Sequence, residues 1–263
     1  VLRTRLATAA VAIPLLIWLI FASPAWAFAG IIVGITAVGL GEFAAMAIPT
    51  DRGFRVLAIA AGLGFAAAVV SRDPIHLGLV LMLSLVGGLL YALSDADMAG
   101  AVNRLAHSLV AALYVGFLLP HVIVLRNAVP GGERWVFLAI GCSMAGDSAS
   151  YFAGSYLGRR KLFPRVSPNK TVEGAIGGLL GSLLFGAVLR AALPPPGVGW
   201  GAILAISLVI GVLAQAGDLV ESMLKRAYGA KDSGWVIPGH GGVLDRIDAL
   251  VLPFVFTYYF NAG

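Results

Sequence analysis

Charge is scarce in this chain of 263 residues. Only 12% are Asp, Glu, Lys or Arg, while 59% are hydrophobic; soluble domains carry about 25% charged and about 45–50% apolar residues. A soluble core of that size would leave too little polar surface to cover it, so a water-soluble globular domain is excluded. Cysteine is nearly absent as well. The single Cys142 excludes an internal disulfide and a cysteine-based metal cage, and it reads as a small residue packed inside a span. No soluble basic segment is available to hold nucleic acid. The formal net charge of +5 suits a face that meets anionic lipid. Also missing is the G-x-x-x-x-G-K-[ST] phosphate loop. "GLGFAA" at 62–67 matches a loose G-x-G-x-x-A, but it lies in an apolar run with no strand before it and carries no weight.

What is present is a series of apolar runs long enough to cross a bilayer, which takes about 17–25 residues per helix. The sequence predicts an all-α polytopic membrane protein with nine spans, at 5–22, 25–48, 54–71, 75–93, 104–125, 134–154, 174–193, 198–217 and 243–260. Helices are expected because the runs are continuous and do not alternate with period two. Arg3 and Arg5 before the first run, and "AWA" at 25–27, resemble a secretory signal. The run is long for that role and eight more follow, so the first helix is expected to be retained. With the N-terminus cytoplasmic, fourteen of the 18 basic residues fall on the cytoplasmic side, and Arg72, Arg126, Arg134 and Arg190 on the other. This asymmetry predicts that orientation in the cytoplasmic (inner) membrane, with the C-terminus outside.

The two halves differ. Residues 1–130 carry charges singly at span ends, whereas 131–263 hold all four lysines and 19 of the 31 charged residues. The first half therefore reads as scaffold and the second as the catalytic region of one continuous domain. Small residues four apart, Gly174/Gly178 and Gly177/Gly181, form a helix-packing pattern that would also serve a homodimer.

Polar residues gather in three clusters. In the first, "GDSASYFAGSYLGRRKLFPRVSPNKTVEG" at 146–174, Asp147, Ser150, Tyr151 and Gly154 share one helix face. An aspartate in or near a span is costly unless it pairs or borders water. Ser167, Asn169, Lys170 and Thr171 then offer donors around a proline turn that can start the seventh helix, and a helix N-terminus with a lysine suits phosphate. The plainer alternative is a positive-inside basic loop followed by an ordinary helix cap. The second cluster, "GDLVESMLKR" at 217–226, places Asp218, Glu221, Ser222 and Lys225 on one face. An i,i+4 pair explains Glu221 and Lys225 but leaves Asp218 near the membrane. The third is "KDSGWVIPGHGGVLDRID" at 231–248, with Lys231, Asp232, His240, Asp245, Arg246 and Asp248. Gly239, Gly241 and Gly242 around His240 can let backbone N–H groups approach an anion. Asp245 and Asp248 then lie one turn apart at the start of the last helix, where aspartate is also simply favoured by the dipole.

Aspartates beside several lysines and arginines suit phosphoryl chemistry, in which carboxylates hold Mg²⁺ and cations neutralise phosphate oxygens. No serine–histidine–acid set or thiol nucleophile is evident, and a lipid phosphate, already anionic, would need none. Catalysis would then be mostly alignment and charge stabilisation. At this point "SMLKRAYGAKDSGWVIPGHGGVLDRID" at 222–248 closely resembles the signature of phosphatidate cytidylyltransferases, in its S-x-x-K-R, K-D, P-G-H-G-G and D-R-x-D elements. The first cluster is similar to the family's D-[ST]-G-A-Y-F and S-P-x-K-T-x-E-G segments. It departs from them at Ala149, Ser150 and Val172.

The resemblance implies an enzyme that condenses CTP with phosphatidic acid to CDP-diacylglycerol and pyrophosphate. It implies Asp218 and Asp245 as the main Mg²⁺ ligands, with room for a second metal ion, and Asp147 and Asp248 in support. Lys225, Arg226, Lys231 and Arg246 would hold phosphates, and Ser167, Asn169 and Lys170 would form a second phosphate contact. His240 would orient a phosphate, with Ser222, Asp232, Gly241 and Gly242 lining the substrate. The alternatives are a sister CTP-dependent transferase or kinase acting on another lipid phosphate or a polyprenol, and an ion-coupled transporter. The transporter would put broken helices and charges near the midplane in both halves.

Overall fold

The computed structural model describes residues 13–234 and 241–262. His240, Gly239 and the first residues of the predicted opening span lie outside them. A helical stretch over 13–21 leads into α1 (Ala25–Ala47), α2 (Arg52–Ser71), α3 (Pro74–Ala92) and α4 (Met98–Ala111). A π-helical segment, Ala112–Phe117, separates α4 from α5 (His121–Ala128). Then follow α6 (Gly132–Leu157), a hairpin of β1 (Lys161–Phe163) and β2 (Ser167–Thr171), α7 (Val172–Ala192), α8 (Trp200–Ala227) and α9 (Leu244–Ala262).

Several single charges at span ends are helix caps. Asp51 accepts from the N–H groups of Gly53 and Phe54, Asp73 from Ile75, and Asp97 from Gly100. Each thus satisfies donors that a helix start leaves without partners. Proline explains the main departure from the expected spans. The run over 104–125 is not one straight helix, because Pro120 has no N–H and its ring crowds the carbonyl four residues earlier. The chain turns there and resumes as α5.

Exposure along the helices is inverted relative to a soluble protein. In α3 only Ser84, Gly88 and Ala92 are buried, while Leu79, Met82, Leu83, Val86 and Leu90 face outward. In α7 the exposed stripe is Ile176, Leu180, Leu184 and Val188, every fourth residue. Large apolar side chains outside and small residues within are what a lipid solvent favours. Among the described residues, seven segments are long and apolar enough to cross a membrane, with Met98–Ala128 counted as one. The chain is an integral membrane protein. The last expected span forms as α9 but is not among the seven, and its first residues include Asp245, Arg246 and Asp248.

The small-residue faces of α7 are used within the chain. A Cβ added at Gly177 would lie 2.4 Å from that of Ala153, and one at Gly181 would lie 2.6 Å from that of Ala149. Gly174 packs against Ser150 and Gly154, and Gly178 against Ser150 and Gly146. The face expected to serve a homodimer is therefore covered by α6 of the same molecule.

Candidate active site

The second half folds so that its three polar clusters meet at one end of the helices. The C-terminal end of α6, the hairpin, the start of α7, the end of α8 and the start of α9 all lie there. The segment "SPNKT", expected as a turn, is instead the strand β2, paired antiparallel with β1. Thr171 ends the strand and caps α7, its Oγ1 accepting from Gly174 N at 3.1 Å. Glu173 in the first turn reaches back, its carboxylate accepting from the backbone of Arg159 at 3.0 Å and of Arg160 at 3.2 Å. The hairpin is thereby fixed to the helix it precedes, and Lys170 is aimed inward.

Lys170 Nζ lies 2.7 Å from Asp218 Oδ2, joining the first cluster to the second across 48 positions. The other oxygen of Asp218 accepts from Ser222 Oγ at 3.3 Å. Around this pair is a cleft of about 540 Å³, lined by Asp147, Ser150, Tyr151, Asn169, Lys170, Gln215 and Asp218 among others. Asp147 and Asp248 lie close enough to Asp218 for their charges to repel. Three helices thus turn carboxylates toward one region, with Lys170 as a counter-charge.

The second and third clusters meet through Lys225. Its ammonium is ion-paired with Glu221, one turn earlier, and with Asp245 Oδ1 at 2.6 Å. Asp245 Oδ2 accepts from Ser233 N at 3.0 Å, Ser233 Oγ at 2.9 Å and Gly242 N at 2.9 Å. The N–H of Gly242, expected to face a bound anion, therefore faces a carboxylate of the chain itself. Gly241 has φ +80°, a conformation glycine adopts at little cost, and it turns the chain into α9. Arg226, Lys231, Asp232 and Arg246, close in sequence to these residues, are exposed.

Asp218 and Asp245 do not share one cluster. The first opens on the cleft with Lys170; the second is held by Lys225, Ser233 and Gly242. Among the described residues no three His, Cys, Asp or Glu side chains converge as a ready metal site. Mg²⁺ in nucleotide chemistry takes one or two carboxylates and completes its shell with phosphate oxygens and water. The donors available are all oxygens, and Asp218, at the cleft, would take that role by exchanging its contact with Lys170 or Ser222.

Two contributors come from the half read as scaffold. Glu42, buried in α1, accepts from the backbone of Val243 at 3.0 Å and of Leu244 at 2.9 Å. A carboxylate within an apolar span is a functional signal in itself, and Glu42 carried it. Tyr114, in the π-helical segment, buries a hydroxyl that has no hydrogen-bond partner among the described residues. It lies in the field of Asp248, Glu221 and Asp218. No sequence pattern singles out Tyr114, nor does one mark Ser233.

Helices with lipid-facing apolar stripes and a charged cleft at one end define a polytopic membrane protein with a polar site at its boundary. The model of the cytidylyltransferase family matches residues 3–262, and the chain belongs to that family. A phosphatidate cytidylyltransferase of Bacillus subtilis is 39% identical over 200 residues, 75% of this chain and 71% of that protein. One of Brucella suis is 43% identical over 149 residues, covering 57% of this chain and 54% of its own. Another, of Synechocystis, is 46% identical over 134 residues, 50% of this chain and 44% of its own. The last two matches thus span about half of each relative.

Proposed function

We propose that this chain is a phosphatidate cytidylyltransferase. A phosphate oxygen of phosphatidic acid attacks the α-phosphorus of CTP, a new P–O bond forms, the α–β bridge breaks and pyrophosphate leaves. The observation that carries this reading is the Lys170–Asp218 pair in the cleft. It places a cation and a carboxylate together in a cleft within a membrane protein, where a soluble triphosphate can meet a lipid phosphate. Family membership and the names of the relatives support the same reaction, and membership removes the ground for the transporter alternative.

Lys170, with Ser167 and Asn169 from the same strand, binds and orients phosphate by charge and hydrogen bonds. Arg226, Lys231 and Arg246 draw the nucleotide to the rim. Bound Mg²⁺ would supply neutralisation of phosphate charge and a template for alignment. Asp218 would hold it, with Asp147 and Asp248 in support. Asp245 would join only by exchanging one of the donors it now accepts from. His240 is assigned to phosphate orientation on the sequence resemblance. With the expected opening span over 5–22, of which the described part is helical at 13–21, and with α9, the reading has nine spans, and the charged end faces the cytoplasm from the inner membrane.

The reading is tested by supplying CTP and Mg²⁺ with phosphatidic acid, a polyprenyl phosphate or a free polyprenol in turn. A lipid-soluble cytidylate product with phosphatidic acid is expected. Turnover confined to the polyprenyl substrates would overturn the choice of lipid.

A further inference from the structure

The carboxylate of Glu42 sits 201 positions before the backbone it binds. Helix α9 begins at Leu244, and a helix start leaves N–H groups without partners along the chain. Its free N–H groups at Val243 and Leu244 are taken by Glu42 Oε1 and Oε2, at 3.0 and 2.9 Å. Hydrogen bonds from N–H groups to an ionised carboxylate are among the stronger ones, and a helix start favours negative charge. Glu42 itself is buried, so water does not substitute for these donors.

The surrounding chain is shaped to the same carboxylate. A Cβ at Gly234 would lie 2.5 Å from Glu42 Oε1. One at Gly242 would lie 2.7 Å from Glu42 Oε2 and 2.2 Å from Ser233 Oγ. Ser233 Oγ also lies 3.5 Å from Glu42 Oε2 while donating to Asp245 at 2.9 Å. Two glycines and a serine of the signature stretch therefore close around an acid from α1. Through Ser233 and Gly242 that packing reaches Asp245, and through Asp245 it reaches Lys225.

We propose that Glu42 is a positioning residue for the transfer reaction, clamping the start of α9 so that Asp245 and Lys225 keep their register at the site. This rests on the cytidylyltransferase reading for its effect on turnover, but not for the clamp itself. Glu42→Gln keeps the size and removes the charge, and an amide can accept at only one of its two ends. The test combines local deuterium exchange on the purified protein in detergent with steady-state kinetics.

In Glu42→Gln, exchange at 241–247 should rise about tenfold or more, the loss of one charge-assisted hydrogen bond, while α6 and α7 keep wild-type protection. The kcat for CDP-lipid formation should fall by about tenfold to a hundredfold on the same basis, with KM for phosphatidic acid within about twofold. Gly234→Ala, which pushes on the carboxylate without removing it, should give the same local pattern. Unchanged exchange at 241–247 in both variants would overturn the clamp. A uniform rise in exchange across all helices would also overturn it, in favour of general destabilisation. If wild-type protein makes no CDP-lipid, the proposed function fails, while the exchange data still judge the clamp.

Discussion

A lysine serves a phosphate when its partner can be exchanged, and Lys170, 2.7 Å from Asp218 at the cleft, has such a partner. Arg160 lies exposed on the hairpin, with its backbone bound by Glu173. Lys170→Met should lower kcat/KM by about a hundredfold or more, and Arg160→Met by less than about twofold, given what charge-assisted contacts are worth. Equal small effects in a CDP-lipid assay would return the whole segment to a positive-inside loop. The two aspartates are expected to part in a second way. Both Asp218→Asn and Asp245→Asn should nearly abolish activity. Only Asp245→Asn should also lower the thermal midpoint in detergent, because it leaves Lys225 with Glu221 alone and weakens bonds to Ser233 and Gly242. A hydrogen bond to a charged group is worth about 1.5–3 kcal/mol. Equal midpoints would contradict the separate roles assigned here.

At the scale of elements, α8 and α9 cross where Gly217 leaves room for backbone. A Cβ there would come within 2.3 Å of the carbonyl oxygen of Asp248, which cannot swing aside as a side chain could. Gly217→Ala should therefore splay the helices and strongly impair activity. Gly201→Ala, near the start of the same helix and facing open space, should be neutral in the same assay. Most helices were legible because apolar runs mark their extent. The hairpin was not, since "KLF" and "SPNKT" are too short and too polar to show an alternating pattern. The break before α5 could have been read from Pro120. The π-helical segment ahead of it had no comparable mark, because "ALYVGF" is as apolar as the rest of its span.

For the whole molecule, charge gathers in the second half, while Glu42 of the first half reaches the start of α9. Lys170, Asp218, Lys225 and Asp245 were legible as polar residues in an oily chain, and the structure pairs them as Lys170 with Asp218 and Lys225 with Asp245. Tyr114 has no mark in its apolar sequence, and Glu42 is marked only by being an acid within a span; only the fold brings them under the charged end. Orientation can be checked with Cys142 replaced by alanine and single cysteines introduced as Arg165→Cys on the hairpin and Gly199→Cys before α8. The first should label only from the cytoplasmic side and the second only from outside. The reverse pattern would place the cleft away from the cytoplasmic nucleotide pool.

The most direct test follows the phosphorus atoms. Purified protein is given Mg²⁺, phosphatidic acid and CTP labelled at either the α- or the γ-phosphate, and the lipid is then extracted. Nucleotidyl transfer predicts that α-label enters the lipid phase in step with pyrophosphate release, while γ-label stays in water as pyrophosphate. Transfer of γ-label to lipid, with CDP left behind, would make the protein a lipid kinase and contradict the account.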